Sequence, residues 1–310
     1  MPSDHTLPRH RPYRHGQAVF QIGLQPMPMP SWLETDPDHG PFMAAKRKRL
    51  AGSPPLYYRS LGRSREAQQE LLDTALANLT AFHAAAFRLA NGVLSDLIDG
   101  SHHHVTGRES EPLERLGNIL EEDFVLFEHE AGRDIVVAVS NAYTSSGRIV
   151  SCVGRDMRFA HEPVPGLNAQ LGARIDRVIG NIQPERPVVR FNWFITPIAS
   201  RLFPEISHQA NAEAAKAAGL ILAADATRCG DMLWLRVERQ TFMRLPETGA
   251  LAFGIHTYSD PLSHIAHDRD SLTAIHHLLG EYSEERLTYA SMQDTRDPVR
   301  RWIDQQLATN

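Results

Sequence analysis

The stretch LWLRVERQTFMRLPETGALAFGIHTY runs from Leu233 to Tyr258. Two runs of β-favouring residues flank LPETGA, whose Pro246 and Gly249 are typical of a turn, so the stretch predicts a β-hairpin. Because side chains alternate along a strand, one face of the first strand carries a row of polar side chains with an aromatic side chain at each end. In this polar row, Arg236, Glu238 and Gln240 lie between Trp234 and Phe242.

The second strand of the predicted hairpin combines small and polar side chains on one face. These are Ala250, Ala252, Gly254, His256 and Tyr258. If the loop is Pro246–Thr248, the polar row lies opposite Gly254, His256 and Tyr258. Small side chains beside charged groups leave space above the sheet, so the pattern predicts that a flat ligand binds close to this face. A buried ion network without a ligand is the alternative.

The length and composition of the chain argue against several classes of protein. The chain has 310 residues with a hydrophobic share of 42%, enough for one large domain or two small ones. A net charge of -5 argues against nucleic-acid binding, and the lack of an apolar run near 18 residues argues against a membrane span. With only two cysteines, we expect a reducing, cytoplasmic location. We expect residues 1–17 to form a disordered arm and residues 18–310 to form a single domain.

Hydrophobic periodicity predicts a mixed α+β fold. Residues 20–62 are interrupted by prolines and predict a segment anchored by aromatic side chains, namely Trp32, Phe42, Tyr57 and Tyr58. Helices are expected over Ser64–Ile98, from Ser110 with Pro112 near the start, over LNAQLGARIDRVIGNI, and across 261–307. Strands are expected in FVLFEHE, DIVVAVSNAY and PVVRFNWFITP. No repeat of strand and long helix occurs, so the sheet is predicted to be antiparallel.

Motifs for common cofactors are missing: the sequence has no Walker loop, Rossmann glycine pattern, HExxH or paired CxxC. The three histidines of GSHHHVTG predict a solvated loop. The run KRKR at Lys46–Arg49 predicts a solvated basic patch, with a partner contact as the alternative. Cys152 is interpreted as a small buried residue, with thiolate ligation of haem iron as the alternative.

Two further places are candidate binding sites. His161 lies in FAHEPVPG, where Pro163 and Pro165 stiffen the backbone, so it is a candidate axial metal ligand or a structural histidine. Arg190 and Asn192 in VVRFNWFIT lie on the same side of a predicted strand.

The strings RVERQTFMRLPETGALAFGIHTY, AHEPVPG, VVRFNWFI and LGNILEEDFVLF together resemble the family of haem-dependent oxidative N-demethylase alpha subunits. The resemblance extends in order over about residues 20–292. It implies a PAS-like fold, with an antiparallel sheet and flanking helices and a core over about 113–260, that holds haem b. It also implies oxidation of a secondary amine such as dimethylamine to a primary amine and formaldehyde. The implied partners are O2 and a separate reductase or ferredoxin-type electron donor, with no nucleic acid and no membrane.

The resemblance also implies roles for individual residues. His161 matches the histidine expected to ligate the haem iron. Cofactor contacts are expected from Arg236, Arg239, Gln240 and Asn192. Catalytic roles are expected for Glu238, as a holder of the ammonium group or a proton relay, and for Tyr258 and His256 as further proton relays. Either Arg190 or Arg236 is expected at a haem propionate or at bound oxygen.

The chain departs from the family pattern at Gly147, Ser151 and Cys152, where a Trp and a Glu-Lys pair are common, and at Ala160, where an Ile is common. If this segment lines the haem edge or the partner surface, the departures predict a different substrate range and different reductase docking. Two other functions stay open: a haem-binding PAS-like sensor without turnover, and a structural protein without haem.

Overall fold

The computed structural model describes residues 7–15, 23–107, 109–143, 148–162, 167–203 and 208–309. For residues 148, 160–161, 167–171, 173–174 and 208 it describes the backbone alone. The predicted α+β class with an antiparallel sheet is confirmed. The PAS-like arrangement stays a prediction. No helix in the described ranges is both long enough and apolar enough to cross a membrane.

The strands form two sheets. A seven-stranded sheet has the order β1-β8-β9-β10-β6-β7-β2, and a three-stranded sheet has the order β3-β4-β5. The strands are β1 (Gln25–Pro26), β2 (Tyr58–Ser60), β3 (Phe87–Ala90), β4 (Val93–Asp96), β5 (His102–His104), β6 (Asp123–Glu130), β7 (Arg133–Ser140), β8 (Val188–Thr196), β9 (Trp234–Arg244) and β10 (Leu251–Pro261).

The helices lie before, between and after these strands along the chain. They are α1 (His39–Gly52), α2 (Pro54–Tyr57), α3 (Arg65–Phe82), α4 (Pro112–Gly117), α5 (Arg148–Ser151), α6 (Met157–His161), α7 (Leu167–Gly180), α8 (His208–Ala224), α9 (Cys229–Met232), α10 (Arg269–Glu281), α11 (Glu284–Tyr289) and α12 (Arg296–Thr309). Short 3-10 helices occur at Pro12–His15, Met29–Ser31, Gly62–Ser64, Ala226–Arg228 and Leu262–Ile265.

The chain divides into two compact units, and the first comprises Met1–Gly23, Phe191–Arg239 and Thr257–Asn310. Its apolar core includes Trp193, Val237 and Trp302. Tyr13 is fully buried in this core, with its ring 5.5 Å from that of Trp193. Arg11 pairs with Asp268 at 2.6 Å. Residues 7–15 therefore differ from the disordered arm predicted for 1–17, because an aromatic anchor and an ion pair hold them.

The second unit comprises Leu24–Arg190 and Gln240–His256 and contains two apolar clusters. Helix α3 contributes a stripe at three-to-four spacing to the first of them: Leu71, Leu72, Ala75, Leu76 and Leu79. Of the predicted anchors, Trp32, Phe42 and Tyr57 are buried and Tyr58 is half-buried. The anchoring role predicted from the proline-rich segment is confirmed.

Two local predictions in this unit were wrong. The helix predicted over Ser64–Ile98 ends at Phe82, and β3 and β4 form a hairpin around Asn91 and Gly92. Both turn residues have positive φ, 51° and 72°, as a tight two-residue hairpin requires, so the Asn-Gly pair was a readable signal. The three histidines predicted as a loop form strand β5, which pairs with β4.

The β9–β10 hairpin has a different register from the predicted one. The amide of Leu245 donates to the carbonyl of Ala250 at 2.8 Å, so the loop includes Gly249, which has φ 71°. Phe242 and Phe253 stack with ring centroids 4.6 Å apart. The carboxylate of Glu70 accepts hydrogen bonds from the amides of Glu247 and Thr248 at 2.6 and 2.9 Å, which fixes the loop.

This register shows that the predicted binding of a flat ligand over the small residues of β10 is wrong. Ala250 and Ala252 belong to the same apolar cluster as Met243, on the face opposite the polar row. A Cβ atom on Gly254 would lie 2.6 Å from Thr241 Oγ1 and 3.0 Å from Phe124 Cε1. Because the core of the protein covers them, the small residues of β10 serve close packing and not ligand binding.

We expect Gly254→Ala to lower the free energy of unfolding by about 1–3 kcal/mol, since the added methyl group must displace Thr241 or the Phe124 ring. Gly62→Ala is the control, because no atom lies within 4 Å of the position of its Cβ. Urea unfolding of both variants measures the difference. Equal stability of the two variants would contradict the close packing assigned to Gly254.

Candidate functional site

The polar row of β9 meets strand β8 through a contact between two half-buried side chains. Asn192 Nδ2 donates to Glu238 Oε2 at 3.5 Å, so the structure brings these two predicted residues together. The side-chain oxygen of Asn192 is buried, and no hydrogen-bond donor of the described residues reaches it. Glu238 and Asn192 thus present two acceptors on one side of the sheet.

Arg236 supports the segment that follows β8. Its side chain is buried, and its guanidinium lies over the ring of Phe203, 4.0 Å from the centroid. Its two terminal nitrogens donate to the carbonyls of Ser200 and Arg201 at 3.2 and 2.9 Å. A cofactor contact of Arg236 stays a prediction, and the bonds in the structure give this residue a structural role.

Tyr258 lies away from Glu238. It is 7% exposed and belongs to the apolar core that contains Val237, with its ring 5.0 Å from that of His10. Val237 and Glu238 are consecutive in a strand and point to opposite faces. The structure therefore does not bring Tyr258 together with Glu238 as partners in a proton relay.

The remaining predicted residues are spread along the same strands. Arg190 and Gln240 are half-buried, and Arg239 is buried. Gln240 shares a face of β9 with Phe242 by alternation. The backbone of His161 ends helix α6, and its side chain lies outside the described residues. Gly147 lies outside them as well.

Cys152 is buried among apolar side chains, which fits its interpretation as a small buried residue. Cys229 is also buried, and burial raises the pKa of its thiol to about 12. Neither cysteine forms a disulfide bond.

A buried network of histidines and carboxylates in the second unit was missed by the sequence analysis. His39 Nδ1 contacts Glu121 Oε1 at 2.8 Å, and His39 Nε2 contacts Asp96 Oδ2 at 2.7 Å. The three side chains are about 1% exposed. The readable signal was the run Glu121-Glu122-Asp123 directly before a buried strand, because buried carboxylates require partners.

His256 extends this network instead of serving the polar row of β9. Its Nδ1 lies 3.1 Å from Glu122 Oε1, and its Nε2 lies 3.0 Å from Asp36 Oδ2 and 3.6 Å from Glu121 Oε2. Burial lowers the pKa of His256, but the charge of Glu122 and hydrogen bonds with Asp36 and Glu122 outweigh it, raising the pKa to about 9. Three carboxylates thus surround one fully buried imidazole.

Lys46 corrects the prediction of a solvated basic patch at KRKR. Its side chain is fully buried, and its ammonium donates to the carbonyls of Leu120, Glu121 and Glu122 at 2.7–3.0 Å. Asp123 Oδ1 lies 3.0 Å from the same nitrogen. A buried lysine persists here because four oxygens surround its ammonium group.

A family comparison adds to this geometry. Residues 23–300 match the model of the family described as haem-dependent oxidative N-demethylase, alpha subunit-like. The chain belongs to this family. The match spans the described polar pair of β8 and β9 and the buried histidine–carboxylate network, and the name of the N-demethylase family indicates dependence on haem.

Helix α6 packs against an apolar part of the second unit. Met157 and Phe159 of α6 lie with the apolar cluster that contains Phe242, whose ring stacks on Phe253. A haem is held by an iron ligand and by apolar contacts to its ring, and residues of both kinds occur in and beside α6.

The raised pKa of His256 predicts a pH-dependent stability. A histidine whose folded pKa exceeds its unfolded value of 6.5 stabilises the fold below pH 6.5, and this contribution is lost as the pH rises through about 9. The shift corresponds to stabilisation on the order of 3 kcal/mol. We expect the stability advantage of the unmodified protein over His256→Gln to shrink between pH 7 and 9.5.

Urea unfolding at a series of pH values, in buffer with a chelator, measures this advantage. His129→Gln is the control, since His129 is an exposed imidazole paired only at the surface with Asp134. An advantage that stays constant from pH 7 to 9.5 would show that His256 carries no stabilising charge.

Proposed function

We propose that this chain binds haem and oxidatively demethylates a secondary amine, releasing a primary amine and formaldehyde. In each turnover, the amine and O2 take up two electrons and two protons, and the products include one water. The electrons come from a separate reductase or ferredoxin-type protein. Support comes from the family match over residues 23–300 and, above all, from the half-buried pair of Glu238 and Asn192.

Haem, when bound, supplies the activation of O2 that oxidises the N-methyl group. His161 would ligate the iron through its imidazole, and Arg190 would pair with a propionate. Gln240, which shares the face of Phe242, would contact the ring edge. Haem b as the specific cofactor follows from the family resemblance.

The acceptors on β8 and β9 suit the protonation state of the substrate. A secondary amine is a cation at neutral pH and carries two N–H donors, which match the Glu238 carboxylate and the Asn192 side-chain oxygen. A half-buried carboxylate attracts a cation more strongly than a solvated one, because the local dielectric is lower. The buried Asn192 oxygen lacks a donor from the described residues and would gain one from the substrate.

This arrangement predicts selection by the number of N–H groups. A tertiary ammonium offers one donor and a quaternary ammonium none, so each leaves an acceptor unsatisfied. Formaldehyde release from dimethylamine, with O2 and a supplied reductase, tests the activity itself. Haem retention without formaldehyde release would identify a haem-binding sensor instead.

We expect Glu238→Gln to weaken amine binding or turnover at least tenfold, or about 1.4 kcal/mol, because it removes the anion while keeping the shape. Amine-induced shifts of the haem absorbance, haem content and melting temperature are measured on one preparation. Glu247→Gln is the control, since it removes an exposed carboxylate of the hairpin loop. A variant that melts lower but binds amines normally would make Glu238 a structural residue.

We expect His161→Ala to fold but to lose most of its haem, because the imidazole of His161 would hold the iron. Haem content and the Soret band are compared with those of His102→Ala, which removes a histidine from the surface strand β5. Added imidazole should restore part of the Soret band in His161→Ala alone. Full haem retention with an unchanged spectrum would assign the ligand to another residue.

A further inference from the structure

The second unit contains a set of metal-ligand atoms that the proposed haem chemistry does not use. One carboxylate oxygen each from Asp36 and Glu121 and one ring nitrogen of His256 all lie within 4.8 Å of one another. All three side chains are buried. They come from distant parts of the chain, so the fold itself assembles the group.

The spacing of these atoms fits one metal ion. His256 Nε2 lies 3.0 Å from Asp36 Oδ2 and 3.6 Å from Glu121 Oε2. An ion bound at about 2.1 Å from each ligand sets neighbouring ligands about 3.0–3.4 Å apart, in octahedral or tetrahedral coordination. Small side-chain adjustments therefore suffice to form the site.

Glu122 is placed as the outer partner of the histidine. Its Oε1 lies 3.1 Å from His256 Nδ1, the nitrogen that would not face the metal. A carboxylate at this position fixes the tautomer and the orientation of a metal-ligating imidazole. Glu122 Oε2 is buried and accepts no hydrogen bond from the described residues.

Charge supports the same conclusion. Asp36, Glu121 and Glu122 bring three carboxylates to His256, and Glu121 also contacts His39. A divalent cation is stabilised by such a group of buried carboxylates. A second group, His39, Asp96 and Asp99, does not compete, because Arg47 Nη1 already binds Asp99 at 2.6 Å.

We propose that Asp36, Glu121 and His256 bind a divalent first-row transition-metal ion, with Glu122 as the orienting partner of His256. The mixed imidazole and carboxylate set favours Zn²⁺, Mn²⁺ or Fe²⁺ over Mg²⁺, which prefers oxygen ligands. The proposed metal ligands share no residue with those proposed for haem, so variants at one set test that set alone.

The test uses the full chain with its haem, produced in metal-depleted medium and then supplied with Zn²⁺, Mn²⁺ or Mg²⁺. Total metal is measured by mass spectrometry, and haem iron, measured as the pyridine haemochrome, is subtracted. We expect about one equivalent of non-haem Zn²⁺ or Mn²⁺, a higher melting temperature on its addition, and little effect of Mg²⁺.

Variants locate the ion. Asp36→Asn and His256→Gln should each reduce the bound metal at least tenfold, whereas Glu70→Gln should retain it. Glu70 is the control, because it is a buried carboxylate of the same unit whose hydrogen bonds go to the amides of Glu247 and Thr248. If Asp36→Asn does not fold, the melting temperature of the unmodified protein with and without metal decides.

Less than a tenth of an equivalent of non-haem metal, with no change of melting temperature on adding Zn²⁺ or Mn²⁺, would overturn the proposal. The cluster would then be a metal-free imidazolium held by carboxylates. Retention of metal by Asp36→Asn at the level of the unmodified protein would overturn it equally. Haem content and amine turnover play no part in either outcome, so the proposed function is judged separately.

Discussion

The ammonium group of Lys46 is the contact on which the second unit depends most. It is fully buried and binds three consecutive carbonyls, those of Leu120, Glu121 and Glu122, together with the carboxylate of Asp123. Those carbonyls belong to the turn between α4 and β6, outside any helix or strand. Unsatisfied buried carbonyls are costly, so a single lysine makes this turn possible.

This turn also determines where two of its acidic side chains point. With their carbonyls held by Lys46, Glu121 and Glu122 direct their carboxylates to His39 and His256. His256 comes from β10 and His39 from the start of α1, so the network joins segments that are far apart in sequence. Removing one member of this network would leave a buried charge without its partner. That loss costs more free energy of folding than replacing both partners with apolar residues. The segments around it are therefore coupled in stability.

The structure separates residues that the sequence places side by side. Glu238 and Val237 are neighbours in β9, yet Val237 belongs to an apolar core while Glu238 contacts Asn192. His256 and Tyr258 are two positions apart in β10, yet one lies among carboxylates and the other beside His10 and Val237. A strand inside a sheet gives each residue one of two faces, and the neighbours on that face decide its chemistry.

The α+β class, the hairpin over Leu233–Tyr258 and the family could be predicted from the amino-acid sequence, because local periodicity, turn residues and specific strings are properties of short segments. Three features depend on contacts between distant segments and could not be predicted: the register of the hairpin, the burial of Lys46, and the assembly of Asp36, Glu121 and His256. Register depends on which loop residues close the ladder, here through Gly249 and the carboxylate of Glu70. A charged run such as KRKR reads as a solvated surface until four oxygens from a distant turn are brought around one of its ammonium groups.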